Sequence, residues 1–270
     1  MSSGFSTYFS IRSKMTPPFN PLLRRRHLFV ALLLLSCSET ALSARRCADC
    51  GSSPVPYPLS TGPDCGDPSY KVRCNNGALV FDTLNNTYPI TSVSPESQRL
   101  TIEPSPLINP DACVTADIST GGIQLNSSLP FNITSSNTIL YLNCTESLLE
   151  SPLNCTSSSL CHAYIDGSSL GACSDAPICC SFRAGGSTTA HRLRVRSEGC
   201  SAYRSFVNLD ESLPVRRWPQ PALEFQWVSP PEPLCRSQSD CDSDSSCDSS
   251  VGRCLCNSGL HWDAIVGSCV

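Results

Sequence analysis

Three short stretches of this 270-residue sequence carry residue types at spacings that can do chemistry. Gly167-Ser168-Ser169-Leu170-Gly171 matches G-x-S-x-G, the turn that exposes a nucleophilic serine in hydrolases. That turn needs a buried strand before it and a helix after it. Here it lies in a serine-rich stretch between Cys161 and Cys173, so a plain glycine-serine turn is expected and Ser169 is not expected to react. Cys47-Ala48-Asp49-Cys50 has the C-x-x-C spacing of zinc sites and thiol oxidoreductases. Asp240-Cys241-Asp242-Ser243-Asp244 begins like a calcium-binding loop, but Ser245 stands where that loop needs glycine and Val251 where it needs a bidentate glutamate. A solvated acidic turn is expected there. His162, His191 and His261 fall in no ligand motif. The expectation is a protein without metal, cofactor or catalysis.

A fourth stretch suits binding. Residues 45–182 and 218–270 are acidic, whereas residues 183–217 carry seven basic and three acidic side chains. Within that island His191-Arg192-Leu193-Arg194-Val195-Arg196 alternates, so a strand would place Arg192, Arg194 and Arg196 on one face. Guanidinium forks about 7 Å apart suit a carboxylate-bearing polymer. The plainer alternative is a half-buried strand with a solvated outer face.

The elements that must position these residues follow from the cysteines. There are 19 of them, alongside 22 prolines, and only 16% of the chain is charged. In an oxidising compartment such a count makes a scaffold of bridges. Arg24-Arg25-Arg26-His27 followed by the apolar run from Leu28 to Leu35 reads as a secretory leader, too short to span a bilayer. The leader is expected to occupy residues 1–44, with cleavage after Ala44 or nearer Ser38, and translation starting at Met1 or Met15. Removing Cys37 with it leaves an even set, as a closed disulfide framework requires. In such a framework Cys47 and Cys50 are halves of separate bridges. Five N-glycosylation sequons, at Asn85, Asn126, Asn132, Asn143 and Asn154, fit the same route. The chain is expected in the secretory pathway and then outside the cell, with no nucleic acid as partner.

Short apolar runs, Ala78-Leu79-Val80-Phe81, Ile123-Gln124-Leu125 and Ile139-Leu140-Tyr141-Leu142, are separated by Pro, Asn, Ser and Gly and read as strands. Brief helical turns are expected at Glu146–Leu149 and Tyr203–Leu209. The fold expected is mainly β: small disulfide-rich β modules followed by a separate C-terminal one. The cysteines fall into groups of six, Cys47 to Cys144, Cys155 to Cys200 and Cys235 to Cys269, the last preceded by the linker Pro230-Pro231-Glu232-Pro233. Boundaries are expected at residues 45–115, 116–229 and 230–270.

The last six cysteines run C-x5-C-x5-C-x6-C-x-C-x12-C, which resembles an EGF-like module. The resemblance implies the pairs Cys235–Cys247, Cys241–Cys254 and Cys256–Cys269. Pro231-Glu232-Pro233-Leu234 lacks the acidic signature of the calcium-binding version, so no calcium site is expected.

Cys47-x2-Cys50-Gly51, Val55-Pro56-Tyr57-Pro58-Leu59, Cys65-Gly66 and Tyr70-Lys71-Val72-Arg73-Cys74 with Gly77-Ala78-Leu79 form an ordered series. It resembles the galacturonan-binding domain of plant wall-associated receptor kinases and wall-associated receptor kinase-like proteins. Tyr141-Leu142-Asn143-Cys144-Thr145, Cys179-Cys180 and Gly199-Cys200 resemble the second, cysteine-rich part of the same ectodomains. The family commonly has Pro-Tyr-Pro-Phe-Gly where this chain has Pro56-Tyr57-Pro58-Leu59-Ser60. The resemblance implies binding of pectic polysaccharide or an oligogalacturonide, with a kinase supplied inside the cell. The first stretch offers Arg45, Arg46, Lys71, Arg73 and Arg99 to such a polyanion. Tyr57 either presents an aromatic face to a sugar ring or packs on the disulfide core. The ligand-binding set is thus Tyr57, Lys71, Arg73, Arg192, Arg194 and Arg196. A second reading is a protein-binding ectodomain for a peptide or co-receptor. No apolar run of about 20 residues follows the leader. Either a secreted, receptor-like binder or the outer part of a receptor at the plasma membrane is therefore expected.

Overall fold

The computed structural model describes residues 46–109, 112–149, 153–168, 171–175, 178–184, 191–193 and 199–270. They belong to one compact unit, residues 41–270. The expected leader lies outside them, as do Arg45, Ser169, Arg194 and Arg196.

The first elements are β1 (Arg73–Asn75), β2 (Ala78–Asp82), β3 (Thr87–Ser94), β4 (Arg99–Ile102), β5 (Leu107–Asn109), β6 (Ala112–Thr115) and the single turn α1 (Ala116–Ser119). Then come β7 (Ile123–Gln124), β8 (Phe131–Ile133), β9 (Asn137–Cys144), helix α2 (Leu160–Gly167), β10 (Cys180–Arg183), β11 (Arg192–Leu193), β12 (Cys200–Val207) and β13 (Leu223–Trp227). Four short strands close the chain: β14 (Ser245–Asp248), β15 (Arg253–Cys256), β16 (Trp262–Asp263) and β17 (Ser268–Cys269). The fold is mainly β and disulfide-rich, with a cysteine-rich cluster at its C-terminal end.

Strands β1 to β4 form a meander, and β13 then pairs antiparallel with β4 while β8 pairs with β13. Strands from either side of the boundary expected at 115/116 therefore share one sheet. They also share one core, in which Phe81 lies 5.0 Å from Phe131 and 5.1 Å from Phe225 between ring centroids. The physical reason is burial. A strand of β4's kind, with Leu100 and Ile102 fully enclosed, needs a neighbour on its open edge, and the almost wholly buried β13 supplies it.

A second sheet, β10-β9-β12, has two covered faces. Ile139, Tyr141 and Tyr203 face the core shared with the large sheet, whereas Leu140, Leu142, Ala202 and Phe206 face α2. Alternation of side chains produces this division. It also explains the correction at Tyr203–Leu209: residues 203–207 are strand, not helix. Double burial removes the polar-apolar alternation by which a half-exposed strand is recognised. The turn at Glu146–Leu148 is a 3-10 helix.

Nine disulfides join the eighteen cysteines from Cys47 to Cys269. Cys47 pairs with Cys65 and Cys50 with Cys74, so the C-x-x-C cysteines serve separate bridges. Cys113–Cys173 and Cys144–Cys200 cross between the first two groups of six, which are not closed sets. Cys144 stands opposite Cys200 in the β9–β12 ladder, so register brings them together. Cys155–Cys180 and Cys161–Cys179 complete that region, and Cys235–Cys247, Cys241–Cys254 and Cys256–Cys269 hold the C-terminal module. Each closed loop stabilises mainly by restricting the unfolded chain.

One buried carboxylate ties the two sheets. Asp117 in α1 has no solvent exposure and accepts from Tyr88 Oη of β3 at 2.7 Å, Tyr203 Oη of β12 at 2.6 Å, Ser105 Oγ at 2.7 Å and Asn86 Nδ2 at 3.3 Å. Burial and this acidic neighbour raise the phenol pKa of both tyrosines. Replacing Asp117 by Ala strands these donors. The variant is expected to lose about 3–5 kcal/mol in denaturant unfolding with bridges intact, against about 1–2 kcal/mol for Tyr203→Phe. Equal losses would contradict the hub.

Candidate functional site

The loops that precede β1 are drawn together by Cys47–Cys65 and Cys50–Cys74. Gly66, at φ 63°, lets that loop pass against the Leu59 carbonyl, where a Cβ has no room. A shallow cavity of about 640 Å³ lies between residues 46–49 and 62–65. Arg46 beside it is spent on Asp49 at 3.2 Å, and Asp64 adds a further acid, so the cavity is poorly matched to a polyanion.

Val72 is buried, and its neighbours Lys71 and Arg73 are exposed on the outer face. Arg73 grips Asp82 of β2 through both nitrogens of its fork, Nη2 donating to Oδ1 at 2.6 Å and to Thr87 Oγ1 at 3.2 Å. Hydrogen bonding by Arg73 holds the Asp82 carboxyl below the usual aspartate range, with further lowering from Thr87 and the charges of Arg73 and Lys71. Arg99 Nη1 donates to Glu224 Oε1 at 2.9 Å, and the buried Glu224 side chain also accepts from Thr134 Oγ1 at 2.9 Å. Lys71 alone among the described cations of residues 46–104 forms no salt bridge, although its charge acts on Asp82.

The other expected residues lie elsewhere. Arg192 is exposed in the two-stranded ribbon β7–β11 with Leu193 buried beneath, while Arg194 and Arg196 lie outside the described residues. The stripe of three is therefore represented by one member. Tyr57 does not offer a face to solvent. It is 4% exposed, lies edge-on to Trp262 of β16 at 6.1 Å, and lies against Gly267 so closely that a Cβ there would stand 2.7 Å from the ring. Burial, then Asp67, raises its pKa. Tyr70 makes a related contact: its hydroxyl donates to the Val228 carbonyl at 2.8 Å, and burial followed by Asp67 pushes its pKa up to about 12. Trp262 Nε1 donates to the Pro230 carbonyl at 3.0 Å. The C-terminal module thus covers the loop that carries Tyr57. Nothing in the spacing near Trp262 signals this contact.

Of the sequon asparagines, Asn85, Asn143 and Asn154 are exposed and Asn126 is half-buried. Asn132 is 4% exposed in β8, opposite Gln226 of β13. The G-x-S-x-G stretch begins at Gly167, the last residue of α2, so a helix precedes it where an elbow needs a strand. The sulfurs of Cys235, Cys241 and Cys254 lie within 4.8 Å of one another, but each belongs to a disulfide and supplies no thiolate for a metal.

The chain is thus a disulfide-stapled β protein whose N-terminal part carries a mostly self-paired cation set. Residues 35–104 match the family described as wall-associated receptor kinase galacturonan-binding. Wall-associated receptor kinase-like 20 of Arabidopsis thaliana is 45% identical over 240 residues, which cover 83% of this chain and 36% of that relative. Wall-associated receptor kinase-like 15 of the same plant is 42% identical over 257 residues, 89% of this chain and 40% of the relative. A shorter match, 35% over 69 residues, covers 26% of this chain and 11% of the leaf rust 10 disease-resistance locus receptor-like protein kinase-like 1.5 of Arabidopsis thaliana. The chain spans well under half the length of these relatives. No solved structure matches it. These matches make the chain similar to wall-associated receptor kinase-like proteins, with the galacturonan-binding family at residues 35–104. Among the described residues no helix is long and apolar enough to cross a membrane.

Two measurements check the geometry. Asp82 is expected to titrate below about 3.9, and Arg73→Ala to return it toward that value. Because the folded value is depressed, the pair's contribution is present above about pH 4 and fades as pH falls through it. Gly267→Ala, at φ 79° and against the Tyr57 ring, is expected to cost about 1–3 kcal/mol and to loosen the module. Faster proteolysis between residues 228 and 234 would report the loosening, and an unchanged pattern would contradict the contact.

Proposed function

We propose that this chain binds pectic galacturonan outside the cell without catalysing a reaction on it. The observation that carries the reading is the match of residues 35–104 to a galacturonan-binding family, beside an exposed Lys71 that forms no salt bridge among the described residues. Lys71 and Arg192 meet ligand carboxylates, whereas Arg73 and Arg99 serve the fold. The protein enters the secretory pathway on residues 1–44 and carries glycans at Asn85, Asn126, Asn143 and Asn154. It acts at the cell wall, and at the plasma membrane where the same region is joined to a kinase.

The test is retention of the oxidised, secreted chain on de-esterified pectin. Retention at low salt that falls steeply as salt rises is expected, because exposed charges are screened. Lys71→Ala is expected to weaken binding about two- to fivefold, the size of one exposed charge contact. No retention at low salt would sink this function and leave the peptide or co-receptor reading.

A further inference from the structure

The described arginines sort into tied and untied. Arg46, Arg73, Arg99 and Arg183 each hold a carboxylate. Arg216 and Arg217 are exposed and hold none among the described residues. They sit in a 3-10 turn, Val215–Arg217, closed by Arg217 N donating to the Pro214 carbonyl at 2.8 Å and Trp218 N to the Val215 carbonyl at 3.0 Å. Pro214 and Pro219 bracket the turn, which limits its backbone freedom.

Trp218 follows directly and is held in place. Its Nε1 donates to the Leu213 carbonyl at 3.0 Å, and its ring stacks on Tyr164 of α2 with centroids 5.6 Å apart and planes within 4°. Phe206, fully buried, braces both rings edge-on at 5.3 and 5.5 Å. Val215 lies against α2 so closely that a Cβ on Gly167 would meet its methyl at 2.8 Å. Tyr164 and Trp218 nevertheless remain only partly buried.

This combination selects a ligand class. Unpaired guanidinium groups held on a braced turn favour carboxylates. A partly open aromatic pair favours an apolar, C–H-bearing face, because the negative ring face attracts its positive hydrogens. A neutral sugar does not require the arginines, and a simple anion does not require the rings. The turn lies in the basic segment 183–217, between the acidic stretches 45–182 and 218–270. We propose that Tyr164, Trp218, Arg216 and Arg217 form a second subsite, for carboxylate-bearing pyranose units. It lies outside residues 35–104 and does not rest on binding there.

The test is a tryptophan fluorescence titration of the full oxidised chain with a de-esterified oligogalacturonide, beside its methyl-esterified form. A saturable change that disappears in Trp218→Phe is expected. The Arg216→Ala/Arg217→Ala double variant is expected to weaken it about tenfold or more, as loss of two charge-assisted contacts implies. The methyl-esterified form is expected to bind comparably weakly, and Lys71→Ala to leave the change intact. Wild-type affinity in the double arginine variant would overturn the subsite. So would a silent Trp218 at saturating ligand; if such a protein were still retained on pectin, the proposed function would stand while the subsite fell.

Discussion

A carboxylate with no cation beside it among the described residues joins the two sheets. Asp117 is reached from β3 by Tyr88, from β12 by Tyr203 and from the intervening loops by Ser105 and Asn86. Taking it out of water is costly, and the surrounding donors offset that cost only while they converge on it. The positions of β3, β12 and the loop before β5 are therefore coupled through one side chain. Cys113 in β6, just before α1, is bridged to Cys173, so the same segment is also tied to the turn that follows α2.

The remaining cross-links extend this joint. Cys179 and Cys180 are adjacent, and extended backbone sends adjacent side chains to opposite faces. Cys179 accordingly reaches Cys161 of α2, whereas Cys180 reaches Cys155. One dipeptide thus fastens layers on both sides of the small sheet. A second polar join, around Glu224, runs between β13, β4 and the start of β9. There the Asn137 amide exchanges two hydrogen bonds with the Glu224 backbone, each 2.8 Å. Such side-chain partners take the place of ladder bonds where β13 passes the bend before β9.

Legibility in the sequence followed burial. Ala78–Phe81 and Ile139–Leu142 were recognisable because turn residues bound short apolar runs, and they form β2 and β9. The segment from Tyr203 does not read as a strand, because both faces of β12 are covered and no alternation survives. Helix α2 leaves little trace in the sequence for the opposite reason. It is eight residues long, lies in a serine-rich stretch, and depends on Ser159 as N-cap and on packing against the sheet. Among candidate site residues, exposure of Lys71 and Arg192 follows from alternation with Val72 and Leu193. The covering of Tyr57 does not, because Trp262 and Gly267 lie some two hundred residues away in the chain.

By itself the sequence determined an oxidised, mainly β protein, the positions of several strands and an ordered cysteine series resembling a known ectodomain. These are local or compositional properties, carried by residue type and short spacing. Tertiary structure decided which charges remain available to a ligand. Arg99 and Glu224 are 125 residues apart and became partners only because β13 entered the sheet beside β4. Arg216 and Arg217 received no such partner among the described residues, and the neighbouring Trp218 met Tyr164 only through the packing of a turn on α2. A cation's availability depends on what the fold sets opposite it, and residue type alone does not carry that information.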